Sequence, residues 1–143
     1  MTALEKIVVD LEMAKELQKS GIDFGETAFV WVIDTLLAKE YPKLILRSNK
    51  FAIRKKGDGY KTIPAPTTNE LLDLLPHLIE TKNNKHTFYD LHIKKLETVG
   101  DKTSSYMVFY ANSKDILIYY DIKTLLQALS LLLLWCKKEG YLK

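Results

Sequence analysis

The side chains best suited to metal binding or acid–base chemistry are three histidines and one cysteine. Their spacing in the sequence matches no known metal-binding or catalytic motif. His77, His86 and His92 form no His-x-x-x-His pair. Cys136 is the only cysteine, so the chain has no internal disulfide, and it lies in an apolar run where a buried thiol is the usual outcome. Zinc sites need several such ligands close together, and a general base needs a reacting group within hydrogen-bond reach. We therefore predict no metal site, no cofactor and no catalytic residue, and hence a protein that is not an enzyme.

A Gly-Asp-Gly sequence at 57–59 is the only Gly-x-Gly pattern in the chain. It stands before a proline-containing loop, whereas phosphate-binding glycine loops lie between a strand and a helix. We interpret it as a turn.

Basic side chains are concentrated in residues 39–61, which we call the basic segment. It holds eight Lys or Arg and two acidic residues, a net charge of +6, whereas 1–38 carries −4 and 62–143 carries +1. Such charges bind phosphates, and an aromatic ring among them can stack on a base. A solvated basic loop has the same composition, and no known nucleic-acid-binding motif accompanies the segment. The candidate nucleic-acid-binding side chains are Lys43, Arg47, Lys50, Arg54, Lys55, Lys56 and Tyr60.

The composition is typical of a soluble globular domain. Hydrophobic residues make up 47% and charged residues 27% of the 143 positions, a balance that favours a buried core over disorder. The N-terminus lacks the pattern of a signal peptide, and the longest apolar run, 125–136, is shorter than the roughly 20 residues that a membrane-spanning helix needs. We predict a single α+β domain over 1–143, located in the cytoplasm.

The C-terminal run is apolar on nearly every side and predicts the central element of the core. A helix of this kind must be covered by the rest of the fold or by a second subunit. We expect it to begin at a cap formed by Asp121 or Thr124, and to end before Gly140. An antiparallel sheet should cover it. The strands predicted from alternating, β-branched or aromatic residues lie at 28–33, 43–47, 51–54, 88–94, 105–111 and 116–120.

Two further helices are predicted from local signals. Apolar residues at helical spacing over 4–17 indicate an N-terminal helix ended by Gly21; alternatively, 7–9 is extended and Asp10 caps a helix, and both interpretations place a helix at 10–20. The middle helix follows Thr67 and Glu70, which have capping-box spacing.

Several short motifs are spread over most of the chain. They are Ala-Lys-Glu-Leu at 14–17 with Gly21, Glu-Thr-Ala-Phe-Val-Trp at 26–31, Ile-Pro-Ala-Pro-Thr at 63–67 with Glu-Leu-Leu at 70–72 and Leu-Pro at 75–76, and the final helix with Leu-Trp at 134–135 and Glu-Gly-Tyr-Leu at 139–142. With this combination the chain resembles small phage and prophage proteins of unknown function, which implies a mobile-element context and a cytoplasmic location but no reaction or cofactor.

We expect the protein to act by binding. Tyr, Trp and Arg anchor many interfaces, and the last helix has more apolar surface than one small sheet covers. The hypothesis is a non-catalytic phage-type accessory protein that binds another protein, with a homodimer through the last helix or a sheet edge as one form. The alternative is nucleic-acid binding through residues 43–61. The sequence indicates no small-molecule substrate and no membrane partner.

Overall fold

The computed structural model describes residues 6–34, 42–47, 60–81, 87–97, 100 and 103–142. The chain divides into two compact units, Met1–Glu70 and Leu71–Lys143. In the described residues the order of elements is α1 (Leu11–Lys19), β1 (Phe29–Asp34), β2 (Lys43–Leu46), β3 (Tyr60–Pro64), α2 (Thr68–Leu74), β4 (Leu78–Glu80), β5 (Phe88–Glu97), β6 (Ser104–Ala111), β7 (Ile116–Ile122) and α3 (Leu125–Glu139).

The predicted α+β class is confirmed, with an antiparallel sheet packed against a buried C-terminal helix. The strands form two separate sheets, one in each unit, whereas a single antiparallel sheet was predicted. The prediction of a single domain over 1–143 stays a prediction. The strand predicted at 51–54, the turn at 57–59 and His86 lie outside the described residues.

The N-terminal helix follows the second of the two interpretations. Val8 makes an isolated antiparallel bridge with Thr67, so the chain is extended there. The Asp10 side chain then caps α1 by accepting a hydrogen bond from the Met13 N–H at 2.8 Å, which satisfies one of the free amides of the first turn. The helix ends before Gly21, whose φ of 83° is easily adopted only by a residue without a side chain.

The first sheet has the order β2-β1-β3, with all pairs antiparallel. As the central strand, β1 is apolar in successive residues and buries Val30, Trp31, Val32 and Ile33. The Trp31 indole N–H donates to the Val9 carbonyl at 3.1 Å, which gives this buried polar group a partner. The strand β3 was not predicted, because Pro64 at its end and Pro66 just beyond it obscure the strand pattern.

The middle helix begins with the predicted capping box. The Thr67 N–H donates to Glu70 Oε1 at 2.9 Å, and the Glu70 N–H donates to Thr67 Oγ1 at 3.3 Å. The helix α2 ends at Leu74, two residues before Pro76. The three-residue strand β4 follows at once and was not predicted.

The second sheet has the order β4-β5-β6-β7 and is antiparallel throughout, a meander in which each strand pairs with the next. The helix α3 packs against β6 and β7. Thr124, and not Asp121, is its cap: the Thr124 hydroxyl accepts from the Gln127 N–H, while Asp121 lies within β7. Gly140 ends the helix in the left-handed conformation, as expected.

In the sheet of the second unit successive side chains point to opposite sides, so one face lies toward α3 and the other lies away from it. The inner face, toward α3, carries Ile79 and Tyr89 and the fully buried Val108 and Tyr110. Among the helical side chains of α3, Leu129, Leu132, Leu133 and Cys136 have no solvent exposure. We call the opposite side the outer face.

Candidate protein-binding surface

Only two of the predicted nucleic-acid-binding side chains are described by the structure. Lys43 is exposed at the start of β2, and Arg47 follows the end of that strand. Tyr60 opens β3, but its side chain lies outside the described residues, together with Lys50, Arg54, Lys55 and Lys56. The described residues therefore do not test whether these side chains form a cluster, and nucleic-acid binding stays a prediction.

Arg47 has a bonding role within the first unit. Its Nε donates to the Thr27 carbonyl at 2.7 Å, and its Nη2 donates to Thr27 Oγ1 at 3.2 Å. Thr27 is buried, so these bonds satisfy a polar residue in a place with little water. Two nitrogen atoms of the Arg47 guanidinium group therefore donate hydrogen bonds within the first unit.

The buried thiol belongs to an aromatic cluster in the second unit. The Tyr110 hydroxyl donates to the Pro76 carbonyl at 2.7 Å and lies 3.8 Å from Cys136 Sγ. The Trp135 ring lies between Tyr110 and Tyr141, at centroid distances of 6.3 Å and 5.4 Å. Cys136 is part of the core, as predicted.

Burial sets the protonation state of this cluster. Burial raises the pKa of the Cys136 thiol to about 11, although the hydrogen bond with Tyr110 acts in the opposite direction and lowers that pKa. Burial also raises the pKa of Tyr110 well above its ordinary value, and proximity to Cys136 adds to the effect. Reactive cysteines have a lowered pKa and partial exposure. The cluster is therefore neutral at physiological pH and stabilises the core.

The outer face of the second sheet carries a row of three rings across three strands. Register places His92 opposite Phe109, and Phe109 opposite Tyr119. The His92 and Phe109 rings are stacked, with centroids 5.0 Å apart and planes 11° apart. Phe109 is buried while Tyr119 is 58% exposed. The histidine is thus a stacking partner on a sheet surface.

Exposed apolar side chains of β4 and β5 lie on the same outer face as these rings. On β4, Leu78 is 52% exposed, and on β5 Phe88 is 44% and Leu96 39% exposed. Alternation along the strands puts all three on the same side as His92. The outer face therefore carries several exposed apolar and aromatic side chains, with Asp90, His92 and Lys94 between Phe88 and Leu96 on β5.

The charges on the outer face are mainly negative. Alternation places one lysine, Lys94, and three acidic residues, Glu80, Asp90 and Asp121, on this side of the sheet. All four are exposed. Counted together they give the face a net charge of −2, which repels phosphate groups and attracts lysine and arginine.

Comparisons with known proteins identify no relative. No protein-family model, curated protein or solved structure matches this chain. None of the helices in the described part of the chain has the length and apolarity that crossing a bilayer requires.

None of the outer-face residues was predicted from the sequence to be part of a site. The alternation from 88 to 94 indicated a half-exposed strand, but it did not show that both sides of that strand carry large apolar groups. Phe88 and Leu96 share a face with Tyr119 only because β5, β6 and β7 pair in a particular register. The one sequence signal for this surface was that Phe88, His92 and Leu96 alternate along β5 on the side expected to face solvent.

Proposed function

We propose that this protein acts by binding another protein and that the outer face of the second sheet is its binding surface. The observation that carries the proposal is the exposure of Leu78, Phe88, Leu96 and Tyr119 on a single side of one sheet. The remaining proposal, that the protein is a cytoplasmic accessory protein of phage type, is supported by the resemblance of its motifs alone.

The energetic argument follows from the exposed apolar area. Burying apolar surface is favourable by roughly 25 cal/mol per Å², and broad apolar patches on a soluble protein mark interaction sites more often than isolated apolar residues do. Tyr119 and Phe88 are rigid aromatic side chains, which lose little conformational entropy when a partner orders them. They are the expected anchors of the interface.

The charges favour a protein over a nucleic acid at this face. Bases can stack on exposed rings, but binding of a polyanion depends on neutralised phosphates. With Lys94 against Glu80, Asp90 and Asp121, the face opposes such binding. The partner surface that fits has aliphatic or aromatic side chains surrounded by lysine and arginine.

A selection from a library of displayed random peptides tests the proposal. Selected peptides should combine apolar residues with Lys or Arg, and binding should weaken about tenfold or more in Phe88→Ser, because the loss of an anchor costs more than 1 kcal/mol. The matched control is Leu46→Ser on β2, since Leu46 is exposed to nearly the same degree, 46%, but lies in the other unit. An empty selection, or equal binding by both variants, would contradict the proposal.

The alternative function, nucleic-acid binding, is supported by the charge of +6 on the basic segment and by the exposure of Lys43. It predicts anisotropy changes with labelled DNA or RNA that fall steeply with salt. The double variant Arg54→Glu with Lys55→Glu should remove that binding and leave the fold intact. Affinity unchanged by the double substitution would exclude this segment as the binding site.

A further inference from the structure

The two edges of the second sheet are poorly suited to an extended partner. Addition of a partner strand needs a regular edge with free backbone N–H and C=O groups. One edge strand, β4, has three residues, and the other, β7, pairs with β6 with a register irregularity next to Ala111. Short edge strands and irregular pairing both hinder strand addition. This leaves the outer face as the part of the sheet that a partner segment covers.

The outer face presents side chains, and not backbone groups, to a partner. The N–H and C=O groups of a strand point to the neighbouring strands, and β5 and β6 each have a neighbour on both sides. A segment that covers Phe88 and Tyr119 must then satisfy its own backbone polar groups, because an unpaired N–H or C=O away from water is costly. A helix does so, since each N–H donates to a carbonyl of the preceding turn. The inner face of the same sheet is covered in this way by α3.

The pattern of exposure across the outer face favours a rod-shaped partner. On the inner strand β6, Phe109 and Ala111 are buried, whereas Phe88 and Leu96 on β5 and Tyr119 on β7 are exposed. A helix along β6 contacts both rows, because β5 and β7 are roughly 10 Å apart and a helix with its side chains is roughly 10–12 Å wide. From Phe88 to Leu96 the strand is roughly 27 Å long, which about 18 helical residues span. A second sheet would rest on the projecting side chains and not reach β6.

Charged residues beside β6 indicate which positions of the helix are basic. Asp90 on β5 lies opposite Ala111 of β6, and Asp121 on β7 lies opposite Met107. The two carboxylates are therefore on opposite sides of β6, and the distance from Met107 to Ala111 is roughly 14 Å, or about nine residues of a helix. Lysine or arginine on each flank of the helix, at about this spacing, would face them. Lys94 also lies opposite Met107 and favours an acidic residue at that point of its flank.

We propose that the partner segment at the outer face is an amphipathic helix of about 18 residues, lying along β6 with its apolar side toward the sheet and Lys or Arg on both flanks. The inference rests on the proposed function, because it names the class of partner that binds at the same surface. A second copy of this chain does not fit, since two outer faces of equal negative charge repel one another.

Two displayed libraries of peptides about 18 residues long test the helix. One library has apolar residues at helical spacing and the other has them at alternate positions, with Lys, Arg, Asp, Glu and Gln randomised elsewhere. The helical library should yield binders of net positive charge, and the best should bind about tenfold or more tightly than any from the alternating library. Circular dichroism of the complex, after subtraction of the spectrum of the protein, should show a helical peptide.

The outcomes separate this inference from the proposed function. Binders from the alternating library alone, or helical binders of net negative charge, would overturn the helix and leave protein binding in place. Two empty libraries would overturn both.

Charge reversal on the protein tests the path of the helix along β6. Asp90→Lys and Asp121→Lys should each raise the dissociation constant of the best helical peptide about fivefold, because each puts a positive charge opposite a basic residue. The matched control is Glu97→Lys, the same charge change at an exposed residue of β5 on the other side of the sheet, which should stay within about twofold of the wild type. Isothermal titration calorimetry measures the affinities, and near-ultraviolet circular dichroism checks the fold of each variant. Dissociation constants of both aspartate variants equal to that of Glu97→Lys would overturn this path.

Discussion

At the scale of single residues, the Cys136 thiol makes stability depend on pH in the alkaline range. Its pKa is raised by burial from 9.0 in an exposed setting to about 11 in the fold. Above pH 9 the unfolded chain releases this proton and the folded chain keeps it, so the free energy of unfolding falls as pH rises from 9 to 11. The stabilising contribution of the protonated thiol to the free energy of unfolding is therefore fully present below pH 9 and is lost between pH 9 and 11.

The variant Cys136→Ala separates this contribution from those of other groups. Urea unfolding at pH 8 and pH 10 should show the wild type losing about 1 kcal/mol more stability between the two than Cys136→Ala does. Tyrosines and lysines also titrate there, but they are present in both proteins. Equal losses in the two proteins would show that the thiol is not protected by burial.

Arg47 and Lys43 differ in what their side chains contact, although both belong to the basic segment. Arg47→Ala removes two hydrogen bonds to Thr27 and should lower the free energy of unfolding by about 1–3 kcal/mol. Lys43→Ala, at an exposed position, should change it by no more than about 0.5 kcal/mol. Chemical denaturation of both variants measures this difference. A cost for Arg47→Ala as small as that for Lys43→Ala would mean that its contacts to Thr27 add no stability.

At the scale of elements, Glu70 connects the start of α2 to the rest of the first unit. Its carboxylate accepts from the Thr67 N–H and hydroxyl through Oε1, and from the Ala28 N–H at 3.0 Å through Oε2. Glu70→Ala should cost about 2 kcal/mol, and Glu70→Gln less, because an amide keeps one accepting oxygen. Asp73→Ala, on the exposed side of the same helix, is the control. If denaturant midpoints of Glu70→Ala and Asp73→Ala coincide, the capping box has no energetic role.

The helix α3 depends on burial of its apolar side chains against β6 and β7. Leu132 has no solvent exposure, so Leu132→Asp would bury an unpaired carboxylate and should prevent folding of the second unit. Gln127→Asp introduces the same group at an exposed position of α3 and should still unfold cooperatively. Near-ultraviolet circular dichroism with thermal melting distinguishes them. A cooperative transition in Leu132→Asp would show that this side of the helix is not the core.

Local signals explain which elements the sequence could predict. The caps Asp10, Thr124 and Gly140 act within a few residues of chain, so residue type and position limit each helix end to one or two candidates, and the structure decides for Asp10 and for Thr124 over Asp121. The strands β3 and β4 were missed, since they are short and lie next to prolines. The division into two sheets depends on which strands pair, and that choice is made between residues far apart in the chain.

At the scale of the whole molecule, the candidate surface follows from register, which the sequence alone does not determine. A shift of one residue in the pairing of β5 with β6 would move Phe88 and His92 relative to Phe109 and change the surface. The apolar residues of the strands were visible, but their number on the exposed side was not. In contrast, burial of the C-terminal helix was predicted, because a helix with apolar side chains on nearly every side must be buried whichever strands pair.

Binding of a protein at the outer face of the second sheet can be observed residue by residue in a heteronuclear NMR titration. The isotopically labelled chain is titrated with a peptide selected from the random library. We expect chemical-shift changes concentrated in β4 to β7, with contacts between the peptide and the side chains of Phe88 and Tyr119. Changes concentrated in the basic segment, with the signals of β4 to β7 unmoved, would contradict it.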